Sequence, residues 1–179
     1  ANLFLQVDNT QLLCQGLDRG ELDFAIVEGY VHKREYNTLL YRRESYLAVC
    51  ATDYPLVKEP QRLEDLLEYA LLIREAGSGN REIVMRSLSR SNLELSDFRT
   101  LVEVSDMNVL KQMLLQGCGI AFLYRAAVAE DLAMGRLRAL HLQDMQEYND
   151  INFVWRKGSV FAPEYQRLFQ MLQPEVDIS

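Results

Sequence analysis

Between an apolar run and a helical pattern the chain reads Arg74-Glu75-Ala76-Gly77-Ser78-Gly79-Asn80-Arg81. Two glycines let the backbone bend sharply and leave its N–H groups facing outward. The first N–H groups of a helix have no partner inside it, and the helix dipole adds positive character there. Such a turn can hold a carboxylate, phosphate or sulfate without a cationic side chain. Taken by itself, a short glycine motif is better read as a plain strand-to-helix connection.

Other arrangements that carry chemistry are missing from the sequence. Gly77-Ser78-Gly79 lacks the spacing of a nucleophile elbow. There is no phosphate-binding Walker motif and no Gly-x-Gly-x-x-Gly. His32 and His141 are the only histidines, and neither has a neighbour at metal-ligand spacing. Cys14, Cys50 and Cys118 are odd in number and far apart, so they read as buried reduced thiols and not as a disulfide framework or zinc site. Glu64-Asp65 and Glu130-Asp131 read as the solvated faces of amphipathic helices. No catalytic residue, metal or cofactor is expected.

Composition narrows the partners. The chain has 179 residues, 49% hydrophobic and 25% charged, with a formal net charge of −7. That is an ordinary globular composition, and its acidity does not suit a nucleic-acid backbone, which is bound by clustered Lys and Arg. His32-Lys33-Arg34 and Arg42-Arg43 are short basic runs next to Glu35 and Glu44. The N-terminus shows no signal-peptide pattern, and no apolar run reaches the ~18 residues of a membrane helix. A cytoplasmic protein is expected.

The elements that must position the glycine turn alternate along the chain. Residues 3–7 and 22–27 read as strands flanking a helix with apolar Leu12, Leu13 and Leu17, capped by Asp8, Asn9 and Thr10 and stopped by Gly20. Residues 39–40 and 46–51 read as strands, and 63–68 as a short helix. The run before the glycine turn is a strand, and residues 80–90 form the helix after it. Strand 100–104 leads to a helix capped by Ser105 or Asp106, with Gly117 past its end. Strand 120–123, helix 125–134, strands 137–142 and 151–155, and helix 163–172 complete the order. Strands alternating with helices predict an α/β fold with mostly parallel sheets.

Five of these blocks, in order, resemble the effector-binding domain of LysR-type transcriptional regulators. They are Gly20-Glu21-Leu22-Asp23-Phe24-Ala25-Ile26-Val27-Glu28-Gly29; Leu63-Glu64-Asp65-Leu66-Leu67 with Ile73 to Arg81; Glu103-Val104-Ser105; Gly117-Cys118-Gly119-Ile120-Ala121-Phe122-Leu123; and Trp155-Arg156-Lys157 ahead of the last helix. The chain departs from the pattern at Tyr124, where the family has proline.

The resemblance implies two Rossmann-like lobes joined by two crossovers, like type 2 periplasmic binding proteins. Lobe I would hold residues 1–43 and 124–179, and lobe II residues 44–123. Residues 3–7 match the family's second strand, so the first strand and helix are expected to be absent, along with the N-terminal winged helix-turn-helix that binds DNA. The implied effector cleft takes in Thr10, Glu28, Arg42, Ser78, Gly79, Asn80, Phe122 and Tyr124, with Arg42 as charge partner for an anion on the glycine turn. Glu28 there suggests an amino group on the effector, a hydroxyl-rich effector, or a Glu28 carboxylate held by Arg42. Arg42 could equally pair with Glu44.

The implied function is sensing of a small anionic or zwitterionic metabolite, which shifts the arrangement of lobes and dimers to control transcription. A homodimer or higher oligomer is expected, through lobe I and a stripe of Leu13 and Leu17. Two other readings stay open: a type 2 solute-binding protein of a transport system, or an enzyme using Glu28 as acid or base.

Overall fold

The computed structural model describes residues 3–146 and 148–173. Its strands are β1 (Ala25–Glu28), β2 (Tyr36–Ala51), β3 (Ala70–Arg74), β4 (Thr100–Val104), β5 (Ile120–Tyr124), β6 (Leu137–Leu140) and β7 (Tyr148–Arg156). Its helices are α1 (Thr10–Arg19), α2 (Gly79–Arg90), α3 (Met107–Leu115), α4 (Arg125–Ala133) and α5 (Ala162–Leu172). The strands run in the order β1-β7-β2-β5-β3-β4, with β6 also on β2.

The long β2 joins two halves of the sheet. From Tyr36 to Ser45 it pairs with β7, across a bulge between Leu40 and Arg42. From Tyr46 onward it pairs with β5 and with β6. β3 lies parallel to β4 and β5. All four pairings of β2 and β7 are antiparallel, so the sheet is mixed where parallel pairing was expected. The cause is β2, which passes through both halves and opposes its neighbours in each.

Local chemistry sets the helix ends. The Asn9 side chain accepts from the Leu12 N–H at 3.0 Å, and Gly20 ends α1 at φ 71°. The Asp106 side chain accepts from the Val109 N–H and starts α3. Leu71 and Ile73 pack on one face of the sheet with Tyr46, Ile83, Val84, Leu88 and Phe122. Leu72 packs on the other with Val49, Leu110, Leu114 and Val128. Both faces are covered, and for that reason β3 is a continuous apolar run.

Several expectations change. Residues 3–7 form no strand; Leu3, Leu5 and Val7 are exposed. Alternating apolar residues make a strand only when a neighbour accepts their backbone bonds, and among the described residues no strand pairs with this segment. Leu17 is buried against Val27, Tyr36 and Val154, with Leu13 packed alongside, so this stripe covers the chain's own sheet and is not free for a partner copy. Cys118 is exposed, Cys14 half-buried and Cys50 buried.

Asp131 is buried and not solvated. It accepts from Arg136 at 2.6 Å and pairs with Lys111 at 3.4 Å. Burial pushes its carboxyl up, but these two partners outweigh that and hold it below its ordinary value. The segment 125–140 packs with the second half of the sheet: Val128 and Leu137 share a core with Val49 and Ala121. The expected division at residue 124 therefore cuts through one packed unit. Residues 1–2, 147 and 174–179 of the expected first lobe lie outside the described residues.

Among the described residues no helix is long and apolar enough to cross a membrane.

Candidate functional site

The glycine turn is where the structure joins its two halves. β3 delivers Arg74 to the turn, Gly77 takes φ 89°, and α2 begins at Gly79 with Ser78 as its cap residue. The Ser78 side chain makes no cap bond. A carboxylate from another element does this work instead. The Asn80 N–H donates to Glu28 Oε1 at 3.2 Å. An acidic group on the first turn of a helix satisfies an orphan N–H and complements the dipole. One of the N–H groups expected to hold an anion is thus bonded from within the chain.

Glu28 ends β1, and its backbone is held as closely as its side chain. The Thr10 hydroxyl donates to the Glu28 carbonyl at 3.0 Å. A Cβ on Gly79 would run into that carbonyl and the Glu28 side chain, while one on Gly29 would meet the Gly79 backbone. Glycine is required at 79 by this approach of two backbones. Burial pushes the Glu28 carboxyl above its ordinary value; the Asn80 N–H and the Arg74 guanidinium pull it down, and Glu75 pushes it up. Arg74 itself is paired with Glu75 at 2.9 Å.

Behind Asn80 the junction is dry and aromatic. The Asn80 side chain donates to the Phe122 carbonyl at 3.0 Å, and the Asn80 carbonyl accepts from the Tyr46 hydroxyl at 3.2 Å. Tyr46 meets Tyr124 edge to face, with ring centroids 5.1 Å apart. The Tyr124 hydroxyl is buried and has no hydrogen-bond partner among the described residues. Its pKa is raised, first by burial and then by Glu28. A buried hydroxyl without a partner is costly.

Of the eight expected site residues, Thr10, Glu28, Gly79, Asn80 and the Phe122 carbonyl meet directly, Ser78 caps α2 beside them, and Tyr124 adjoins through Tyr46. Phe122 contributes its backbone; its ring is in the core. Arg42 does not join them. It lies opposite Ile151 on one side of β7, and Glu28 lies opposite Ile151 on the other. Two strand spacings, about 10 Å, therefore separate their backbones. Arg42 pairs instead with Glu44 at 3.5 Å. The cation acting on Glu28 is Arg74.

Residues not singled out beforehand complete the tie. The Gln11 N–H donates to the Gly77 carbonyl at 3.0 Å. The Asn9 side chain donates to Glu75 at 3.2 Å. Asn9 and Glu75 were visible as capping and turn residues; nothing in the sequence marked Tyr46, which reads as one apolar strand residue among several. Beside the tie, Thr10 and Ser78 line a cavity of about 620 Å³ with Cys14, Tyr30, His32 and Arg81. No group of three or more potential metal ligands occurs among the described residues.

Fold and junction together define a two-part α/β domain whose halves meet over a polar seam beside an open cavity. The chain belongs to the LysR substrate binding domain family, whose model matches residues 1–177. The HTH-type transcriptional regulator CbbR of Xanthobacter flavus is 27% identical over 175 residues, 97% of this chain and 52% of that protein. The chain spans about half the length of the curated relatives it matches. The CcmR regulatory domain of Synechocystis PCC6803, solved in complex with 2-PG, has a TM-score of 0.76 at 19% identity and covers 94% of this chain and 81% of that one. The effector binding domain of QuiR in complex with shikimate has a TM-score of 0.74 at 16% identity, over 92% and 76%. The fold is that of LysR regulatory domains, like the type 2 periplasmic binding proteins.

Proposed function

We propose that this domain senses a small anionic or zwitterionic metabolite at the seam between its halves and passes the change to the rest of a transcriptional regulator. The observation that carries this is the Glu28 carboxylate seated on the first turn of α2. An effector carboxylate or phosphate would compete with Glu28 for the Asn80 N–H. Binding that displaces Glu28 loosens the tie between β1 and α2, and a ligand shifts such an equilibrium by its difference in affinity for the two arrangements.

In this reading lobe I consists of α1, β1, β7 and α5, and lobe II of α2, α3, α4, β3, β4, β5 and β6, with β2 shared. Gly79 and Asn80 present the anion-binding N–H groups, Ser78, Thr10 and Tyr124 supply hydroxyls, and the domain performs no catalysis. The full protein forms homodimers or larger homo-oligomers, and contacts DNA through a winged helix-turn-helix outside this chain. Family membership favours this over a transport protein.

The test is a thermal-shift panel of small carboxylates, phosphorylated metabolites and amino acids, with calorimetric titration of each hit on the parent and on Glu28→Gln. Removing the resident charge is expected to tighten an anionic effector by about tenfold. Hits whose affinity is unchanged or weaker in Glu28→Gln would place the effector elsewhere.

A further inference from the structure

One flank of α2 carries a second polar pocket, of about 220 Å³, which shares only Tyr30 with the cavity beside the seam. Arg86 and Arg90 line it from α2; Gln146, Asn149, Asp150 and Asn152 line it from β7 and the residue run before it; Gly29 and Tyr30 close one end. Its volume is below the range typical of drug-sized ligands. We propose that this pocket is a binding site for a small oxyanion, of the size of phosphate or a short carboxylate, separate from the effector seam.

Donors outnumber acceptors here. The Asn149 side-chain nitrogen is buried and has no hydrogen-bond partner among the described residues. An orphaned buried donor calls for an acceptor. Arg90 donates to the Gln146 side-chain oxygen at 2.9 Å. Arg86 stacks over the Tyr30 ring at 4.3 Å and pairs with Glu82 at 3.1 Å. Each guanidinium carries five N–H groups in a fixed fork, so these contacts leave donors free. Asp150 also lines the pocket, but Arg43 neutralises it at 2.9 Å.

Position gives the pocket a consequence. α2 packs on the half of the sheet that holds β3 and β5, and β7 belongs to the other half. An anion held by Arg86, Arg90 and Asn149 would bridge the two halves. It would favour the arrangement in which they are close, so phosphate and the seam effector would be coupled.

Inorganic phosphate is the probe, titrated by calorimetry and by melting temperature against chloride at matched ionic strength. The variants are Arg86→Gln with Arg90→Gln, and separately Asn149→Asp, which keeps shape and adds a repelling charge. Both arginines are exposed on α2, so the fold should survive their loss, and melting without phosphate checks this. The parent is expected to bind phosphate with Kd near 1 mM, and each variant about tenfold more weakly. Glu28→Gln is expected to leave this binding unchanged. A parent that does not distinguish phosphate from chloride overturns the proposal. So does parent-like affinity in both variants, and so does phosphate affinity that rises in Glu28→Gln while ignoring the arginines.

Discussion

The Asn80 N–H and the Glu28 carboxylate meet at 3.2 Å across 52 residues of sequence. One bond caps a helix, ends a strand and closes the seam between the halves. Glu28 is a half-buried acid whose carboxyl sits above its ordinary value because burial outweighs the Asn80 N–H and Arg74. The folded state therefore holds a proton more tightly than the unfolded chain. Its contribution to stability is fully present below the unfolded pKa and is lost as pH rises through the folded one.

Glu28→Gln keeps an oxygen for the Asn80 N–H and removes the charge. Its melting temperature near neutrality is expected to equal or exceed the parent's. The gap should close as pH falls toward about 4, where the parent is also neutral. Melting curves of both proteins across that range check the sign; a gap that widens on acidification would mean that the charged form is the favoured one.

Gly79→Ala and Gly135→Ala should both destabilise, for different reasons. At 79 the new methyl meets the Glu28 backbone, and overpacking of this kind costs about 1–3 kcal/mol. At 135 there is open space, but φ is 68°, which costs an L residue about 1–2 kcal/mol. Only Gly79→Ala should alter the response to effector. Chemical denaturation with and without a confirmed hit separates the two.

Tyr46→Phe and Tyr124→Phe form an informative pair. The Tyr46 hydroxyl is bonded to the Asn80 carbonyl, so its loss should cost about 0.5–1.5 kcal/mol, more if the carbonyl is left dry. The Tyr124 hydroxyl has no partner among the described residues. Removing it should be neutral or stabilising in the free domain and should weaken a ligand that bonds it. Equal destabilisation by both variants would mean that Tyr124 has a bonding partner in the free protein.

Asp131→Asn removes the anion shared by Lys111 and Arg136. Both cations reach solvent and can rehydrate, so the cost should be about 1–3 kcal/mol and not that of a stranded charge. The parent's Asp131 is held below its ordinary value. That stability is present above the unfolded pKa and lost as pH falls through the folded one, so the deficit of the variant should shrink in acid. Urea titrations near neutrality and in acid provide the measurement.

Much of this fold was legible because it is local. Asn9, Asp106, Gly20 and Gly117 mark helix ends by hydrogen bonds or φ values that involve only a few neighbouring residues. The apolar run at 70–73 and the helix after the glycine turn were readable from periodicity. The ordered motifs placed Thr10, Glu28, Gly79 and Asn80 at one junction before any coordinate did. Residues 3–7 failed as a strand because alternation states a preference and pairing needs a partner. Asp131 looked solvated because it stands beside Glu130 in an amphipathic pattern, while its partners Lys111 and Arg136 come from α3 and from beyond the end of α4.

The sequence by itself determined the helices, most of their ends and the family, since capping, glycine φ and apolar period act over a few residues. Tertiary structure decided the charges. An arginine at 42 and one at 74 look alike as possible partners for Glu28. Strand order puts Arg42 across β7 beside Glu44, and the end of β3 puts Arg74 at the seam. It also decided that the chain's own Glu28 reaches the first turn of α2. Long-range pairing turns on which strands are neighbours and how far apart they lie, and no local pattern records either.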